Sequence, residues 1–576
     1  MAVPTARGFG RLETALTVLT VAVAAYALVV AWTGGFDARL AGVRIRSRQW
    51  ERPALIAVAG SAWLLYLVRR RTAVVFVRVW HVTDGARGAS VMAGVAAVWT
   101  LAAGLHFGTF ASGGSDSYGY AGQARLLLHG RLTDTIPMRP GFAWPDARAT
   151  LIPLGFTAGG SPGVIVPKYP PGLPLMMVPL AAISERAIYV LVPLFGALAV
   201  WLTYRLGTEL GDPLAGGVAA MVLSASPTFL GQAFQPMSDI PGMACWLGAL
   251  IAASRGTAGS AAAAGVLSSV AVMIRPNLAP LAGLILIAAL CCGRVFDWRR
   301  MVAFVAALTP GLIALGWIQH VRYGSALSSG YGTVEDFFAI SNIGPNLARY
   351  PRWLTETHTP FIWLSAAAPF WIVRRASRPL LAWVALLLAV AVWGAYLPYV
   401  YFQPREWFYT RFLLPAIAIM LLFAAATGAW AVRQLPVALR TAIAAVVLVL
   451  LVWAQIQSAQ SRSVFELQRL ESKYPAAGAF AREHLPATAF ILAAQHSGSL
   501  RYYANLPTLR WDLLGGDALD QALANLLAEG FEPFAVLDAE EDVEFRRKFE
   551  AAGQRAAARL VPLGVSAGVR VYGFAR

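Results

Sequence analysis

The sequence predicts an all-α polytopic membrane protein that carries a small α/β domain at its C-terminal end. The chain of 576 residues is 58% hydrophobic and only 13% charged, well below the roughly 25% of charged residues in soluble domains. Apolar runs close to the about 20 residues that cross a bilayer core recur from residue 12 to residue 457. Beyond residue 457 the sequence becomes polar enough for a soluble domain.

The apolar runs predict about thirteen transmembrane helices. If the N-terminus is cytoplasmic, most clusters of arginine fall on the cytoplasmic side, as the positive-inside rule requires. The loops 109–185, 233–238, 321–358 and 399–410 then share the outer side with the C-terminal end. We therefore expect a multi-pass protein of the inner (plasma) membrane. The expected spans are residues 12–33, 53–68, 90–108, 186–206, 213–232, 238–254, 258–274, 277–292, 301–320, 359–373, 379–398, 411–432 and 437–457.

Three regions follow from this division. Residues 1–89 form an N-terminal addition of two helices, residues 90–457 form a transmembrane core, and residues 458–576 form an outer α/β domain. In the outer domain, strand-like runs at 490–494, 534–538 and 569–574 alternate with helical stretches. This region contains no G-x-G-x-x-G segment, so nothing in it indicates a dinucleotide.

The net charge of +17 does not point to nucleic acid. The basic residues are scattered in short clusters between apolar runs and form no continuous stripe. The three cysteines, Cys245, Cys291 and Cys292, are too few for a disulfide framework. The sequence therefore excludes a nucleic-acid-binding protein and a disulfide-rich secreted protein.

Two aspartates stand at the outer ends of apolar runs. Asp116 follows the third run, and apolar residues recur at helical spacing after it, which predicts a short interfacial helix that begins at Asp116. Asp239 lies in the loop before another run, followed by Pro241. Both are candidates for chemistry at the outer face, and both also fit helix caps, an alternative that the sequence leaves open.

Two further motifs lie on the same side. Lys168, Tyr169, Pro170 and Pro171 close the first outer loop, and the segment 409–415, YTRFLLP, begins a late apolar run with Arg411. In their order along the chain, these motifs and the two aspartates resemble those of GT-C glycosyltransferases of the protein O-mannosyltransferase, aminoarabinose transferase and Rgt-like group. The resemblance covers roughly residues 90 to 460.

The resemblance implies an inverting glycosyltransferase that takes its sugar from a polyprenyl-phosphate donor. Asp116 would be the general base, and Asp239 would orient a substrate. Lys168 and Arg411 would stabilise the leaving phosphate, with Arg405 and Arg275 as further candidates. Four tyrosines could line the sugar site, although interfacial tyrosines also anchor helices in membranes; they are Tyr118, Tyr120, Tyr169 and Tyr409.

The expected partners are the lipid-linked donor, a lipid, glycan or protein acceptor, and the bilayer, with no nucleic acid. No cofactor is expected. A divalent metal ion between Asp116 and Asp239 is conceivable, but the chain shows no dense cluster of ligands and its histidines are dispersed. The main alternative is a transporter or flippase of lipid-linked saccharides, which would place more charges inside the spans. A structural membrane protein would not explain the ordered acidic loops.

Overall fold

A computed structural model describes residues 84–292, 296–401 and 407–575, together with residues 19–20, 23, 36–40, 43–47, 56 and 59–60. The expected spans 12–33 and 53–68 thus lie largely outside the described residues. The chain divides into two compact units, residues 1–83 with 432–446 and residues 84–431 with 447–576. The first unit includes an antiparallel hairpin of strands β1 (Phe36–Leu40) and β2 (Val43–Ser47). All sites discussed below belong to the second unit.

Helices dominate the second unit, because an apolar segment in lipid has to pair its backbone N–H and C=O groups internally. Up to residue 292 they are α1 (Ala86–Phe107), α2 (Asp116–Leu128), α3 (Gly172–Ala181), α4 (Leu191–Glu209), α5 (Pro213–Ala225), α6 (Pro227–Ala233), α7 (Asp239–Ala253), α8 (Ala258–Ile274) and α9 (Leu281–Cys291). They continue with α10 (Trp298–Tyr323), α11 (Ile343–His358), α12 (Ala368–Arg375), α13 (Pro379–Tyr396), α14 (Leu414–Arg433) and α15 (Val437–Ser461).

Within the described ranges, six helical segments are long and apolar enough to cross a membrane, and the bent pair of α5 and α6 would make a seventh. They are Ala86–Phe107, Ala187–Glu209, Trp298–Tyr323, Pro379–Tyr396, Trp407–Arg433 and Leu439–Ser461. The predicted polytopic helical architecture is confirmed, whereas the number thirteen is not. The expected span 359–373 forms a 3-10 segment, Pro360–Ala367, followed by the short helix α12. Prolines near the start of each piece favour two separate helix beginnings.

The expected span 213–232 is broken at Ser226. Helices α5 and α6 meet there at an angle of 66°. Pro227 cannot donate a backbone hydrogen bond to the preceding turn, and the Ser226 hydroxyl accepts one from the Phe229 backbone N–H instead. The buried His358 lies 2.8 Å from the same hydroxyl through its Nε2 atom. The sequence thus ends one helix and starts the next at a single residue.

The first outer loop contains α2 and a three-stranded antiparallel sheet in the order β3-β5-β4, built from Asp134–Thr135, Val164–Pro167 and Phe156–Ala158. The prediction that a helix begins at Asp116 is confirmed. Most residues of this helix are buried by protein, and its location at the membrane interface stays a prediction. Gly119 permits this packing, since a Cβ there would lie 2.4 Å from the Tyr169 ring.

The C-terminal region forms a five-stranded sheet with helices, as predicted. The strand order is β7-β6-β8-β10-β9, with β6 parallel to β7 and β8. The three predicted strands correspond to β6, β8 and β10, and the two edge strands were not predicted. The strands are β6 (Ala489–Leu492), β7 (Thr508–Leu509), β8 (Glu532–Leu537), β9 (Leu560–Ser566) and β10 (Val569–Phe574); the helices are α16 (Lys473–His484), α17 (Ser497–Ala504), α18 (Leu519–Ala528) and α19 (Ala539–Glu550).

Candidate functional site

A cavity of about 410 Å³ lies where the first outer loop meets the ends of several helices. Segments far apart in the sequence line it, from the start of α2 to the 3-10 turn Trp407–Leu413 that precedes α14. Asp116 is the first residue of α2 and Asp239 is the first residue of α7. Helix N-termini stabilise negative charge, so both positions favour an ionised carboxylate.

Asp116 is held by two donors. The Tyr169 hydroxyl donates to Oδ1 at 2.5 Å, and Arg411 donates from Nη2 to Oδ2 at 3.0 Å. Burial opposes ionisation of Asp116, but the Arg411 charge and these two hydrogen bonds outweigh it, so its pKa lies below the ordinary value. The side chain remains 26% exposed. Each carboxylate oxygen has two lone pairs, so Asp116 remains free to accept a proton from a molecule in the cavity.

Tyr169 is a neutral donor in this arrangement. Burial and the neighbouring Asp116 carboxylate both raise the pKa of the phenol well above its ordinary value. Its hydroxyl oxygen also lies 2.7 Å from the Ser115 hydroxyl. Tyr169 therefore fixes the orientation of the Asp116 carboxylate, and it also lines the cavity, as the predicted sugar-site role requires.

Asp239 makes a second ion pair in the same cavity. Its Oδ1 atom accepts from Arg275 Nη2 at 2.5 Å, and the two side chains are only 2% and 14% exposed. Arg275 also donates from Nη1 to the Tyr396 hydroxyl at 2.9 Å, and Asn277 donates to the same oxygen. Such a network holds the Asp239 side chain in one orientation.

An aromatic ring joins the two ion pairs. The guanidinium carbons of Arg411 and Arg275 lie 5.0 and 5.2 Å from the centroid of the Phe412 ring. Tyr396 stacks on Phe412 with a centroid distance of 5.1 Å. Cation–π contacts of this kind favour positive charge in a desolvated place. The two arginines are thus committed to carboxylates and to a shared aromatic surface.

Two other cations of the cavity have no carboxylate partner among the described residues. Lys168 is half-buried, and its Nζ atom lies 5.6 Å from the centroid of the Tyr331 ring. Burial lowers the pKa of Lys168, and the Asp116 charge partly opposes this effect. Arg322 is only 3% exposed and donates to the Leu132 carbonyl and the Gln123 side chain. Its Nη2 atom is buried without a hydrogen-bond partner in the part of the chain that the structure describes.

The structure brings eight of the ten predicted site residues to this cavity: Asp116, Tyr120, Lys168, Tyr169, Asp239, Arg275, Tyr409 and Arg411. Tyr118 does not line it, because successive helical residues point in different directions and its ring packs against Phe156 and the C-terminal domain. Arg405 lies outside the described residues. The functional roles of all ten stay predictions.

The sequence reasoning missed Arg322, Asn277, Tyr331 and Tyr396, which also line the cavity. For Arg322 a signal was present, since it stands next to the end of a long apolar run with no acidic residue within ten positions on either side. An arginine at a helix end is a common lipid-headgroup anchor, so the position of Arg322 does not by itself indicate a functional site.

In the described ranges, no group of three or more His, Cys, Asp or Glu side chains is placed to hold a metal ion. The two cavity carboxylates are each paired with an arginine. Independence from metal stays a prediction.

Comparisons with known proteins identify the fold. No protein-family model matches the chain, and the search of curated proteins found no match either. Among solved structures, ArnT from Cupriavidus metallidurans in the apo state matches with a TM-score of 0.52 and 13% identity. The same protein bound to undecaprenyl phosphate matches with a TM-score of 0.51 and 12% identity. Each match covers 84% of this chain and 97% of ArnT. The chain therefore shares its polytopic helical fold with ArnT.

Proposed function

We propose that this chain with the GT-C fold is an inverting glycosyltransferase that uses a polyprenyl-phosphate-linked sugar at the outer face of the membrane. One observation carries the proposal: a single cavity combines an ionised carboxylate with two cations that have no carboxylate partner among the described residues. The fold neighbour ArnT binds undecaprenyl phosphate in one of its structures, which supports the same class of donor.

The charges in the cavity suit a phosphate leaving group. Among the described residues that line the cavity, the charges of Asp116 and Arg411 cancel, as do those of Asp239 and Arg275, and Lys168 and Arg322 remain as the excess. A phosphate monoester carries about 1.5 to 2 negative charges at neutral pH. Two positive charges in a partly water-excluded cavity would stabilise the charge that develops on the departing phosphate.

The proposed reaction is a single displacement at the anomeric carbon. An acceptor hydroxyl or amine attacks this carbon while the bond to the phosphate oxygen breaks and its electron pair stays with the phosphate. Asp116 takes the acceptor proton as general base, an effect typically worth about 10² to 10⁴ in rate. Asp239 and Arg275, with Tyr120 next to them, would contact the sugar or the acceptor.

The alternative, a transporter or flippase of lipid-linked saccharides, is less well supported. Three of the charged cavity residues stand at helix ends: Asp116 and Asp239 at helix starts and Arg322 one residue before the end of α10. A transport path would place such groups near the midplane. The deciding experiment incubates the purified protein with polyprenyl-phosphate sugars and an envelope extract. Labelled product supports the transferase, whereas labelled donor crossing the membrane of proteoliposomes without product would support the flippase.

Replacement of Lys168 or Arg322 by Gln should weaken the binding of free polyprenyl phosphate by roughly 10- to 100-fold, the value of one hydrogen bond to a charged group at about 1.5–3 kcal/mol. Sugar transfer should slow by a similar factor. The measurement is product inhibition together with direct binding of polyprenyl phosphate. Arg352→Gln is the matched control, because Arg352 pairs with Glu356 on the surface. Unchanged affinity in both cavity variants would refute the phosphate assignment.

Replacement of Tyr169 by Phe should move the acid limb of the pH–rate profile to higher pH. The Tyr169 hydrogen bond favours the ionised form of Asp116 and so lowers its pKa; without it the pKa rises, and the base becomes protonated at a higher pH. Wild type should therefore keep its activity further into acid than the variant. We expect the free energy of unfolding to fall by only about 1 kcal/mol. Tyr323→Phe is a suitable control, because its hydroxyl donates to the Pro167 carbonyl and not to Asp116.

A further inference from the structure

The C-terminal domain makes close contacts with residues 112–118, the segment that leads into and past Asp116. The Tyr503 hydroxyl accepts a hydrogen bond from the Ser112 backbone N–H at 2.7 Å. The next residue, Gly113, packs against the ring of Tyr474, and a Cβ on Gly113 would be only 1.9 Å from that ring. Only glycine fits at this distance.

A second close approach follows Asp116. Tyr118 stands two residues after Asp116 on α2, and a Cβ on Gly498 would be 2.1 Å from the Tyr118 ring. Gly498 belongs to the first turn of α17, which follows strand β6. Asp116 thus lies between two residues, Gly113 and Tyr118, that the C-terminal domain contacts closely.

The contacts with the first outer loop come from the carboxyl edge of the parallel strands. Gln495 and His496 follow β6, and Asp538 follows the adjacent strand β8. In open α/β sheets this edge is where ligands bind. Here the Gln495 side chain and the Tyr474 hydroxyl lie 3.8 and 3.7 Å from a Cβ built on Gly114, so the outer loop occupies part of the edge that a ligand would use.

A network of charged residues in the C-terminal domain holds Tyr474 in place. Asp538 accepts from Lys473 at 2.5 Å and lies 3.1 Å from the Nε2 atom of His496. The His496 ring packs against Tyr474 with a centroid distance of 4.7 Å. The network therefore fixes Tyr474, whose ring covers Gly113.

Two arginine contacts, one a hydrogen bond with a cation–π contact and the other a salt bridge, hold the flanks of the same surface. Arg125, on α2, donates to the Tyr502 carbonyl at 2.9 Å and lies 3.6 Å from the centroid of the Tyr502 ring. Arg501 pairs with Asp134 of the first outer loop at 3.1 Å. Contacts of the C-terminal domain with α2 therefore occur at both Tyr118 and Arg125 and are not limited to one point.

We infer that the C-terminal domain is a clamp that positions Asp116 through the contacts of Tyr474 and Tyr503 with residues 112–113 and of Gly498 with Tyr118. The inference rests on the proposed function for the role of Asp116, and it assigns to Gly113, Gly498, Tyr118 and Tyr503 the role of positioning residues. A displacement of about 1 Å at a catalytic group costs on the order of 10² in rate, so small overlaps at these contacts should be visible in catalysis.

The test compares Gly498→Ala and Tyr503→Phe with wild type in the full-length protein. Gly516→Ala is the control in the same domain, because a Cβ there meets neighbours at an ordinary 3.7 Å. Hydrogen exchange of residues 112–128 should become faster in both clamp variants and stay unchanged in the control. The kcat of sugar transfer should fall by roughly 10²-fold for Gly498→Ala, with KM for both substrates unchanged.

Tyr503→Phe removes one hydrogen bond without an overlap, so it keeps the test valid if Gly498→Ala does not fold. Unchanged exchange in residues 112–128 would overturn the clamp, and so would a rise in KM with kcat unchanged. Faster exchange in a protein whose wild type transfers no sugar would support the clamp and contradict the proposed function instead. The two failures are therefore distinguishable.

Discussion

Replacement of Asp116 by Asn should abolish most sugar transfer, with a loss of about 10² to 10⁴ in kcat. Asn keeps the shape of the side chain, but its single amide oxygen can accept only one of the hydrogen bonds that Tyr169 and Arg411 donate to the two carboxylate oxygens, and it cannot take up the acceptor proton. The measurement is the rate of label transfer from a polyprenyl-phosphate donor by purified wild type and variant. Thermal unfolding and size-exclusion profiles of the two proteins establish that both are folded.

The control for this prediction is Glu356→Gln, which neutralises a surface carboxylate that is ion-paired with Arg352 at 2.8 Å. Its rate should equal that of wild type. A folded Asp116→Asn protein with full transfer activity would show that Asp116 is not the base. Asp116 would then have only a structural role, as a residue at a helix start that forms an ion pair.

Replacement of Asp239 by Asn should lower the free energy of unfolding by about 3–5 kcal/mol, because it leaves the buried charge of Arg275 without its partner. Arg275→Met should cost a similar amount, since it isolates the carboxylate. The double variant Asp239→Asn with Arg275→Met should be more stable than either single variant, because no charge is left unpaired. The measurement is a double-mutant cycle of unfolding in mixed micelles.

Tyr396→Phe provides the control for that cycle, because it removes one hydrogen bond of Arg275 and leaves the ion pair in place. We expect Tyr396→Phe to lower the free energy of unfolding by about 1 kcal/mol. If the effects of the two single variants add up in the double variant, the pair is not coupled, and the rigid network around Asp239 is not what keeps the cavity in shape.

The positions of individual elements followed well from local patterns. The helix that begins at Asp116 is confirmed, because an acidic residue before an apolar run at helical spacing is a local signal. Three strands of the C-terminal sheet are confirmed for the same kind of reason. Strand β7, with two residues, and the exposed edge strand β9 carry too weak an alternation to be recognised.

The sequence does not show which charged side chains form ion pairs with each other. Asp116 and Arg411 are 295 positions apart, and nothing in their neighbourhoods shows that they share a hydrogen bond. The sequence assigned Arg411 and Arg275 to a phosphate, whereas the structure places each of them on a carboxylate. Lys168 was an anion-binding candidate from the sequence, and Arg322 joined it only when the partners of the cavity cations among the described residues were known.

By itself the sequence predicted which segments are apolar enough to lie in lipid, and it identified the charged residues near the ends of those segments. Only the tertiary structure decided which of these groups neutralise one another and which remain available. It also decided that the C-terminal domain contacts residues 112–118. Burial and charge pairing depend on distances through space between remote segments, and no local pattern of residues contains those distances.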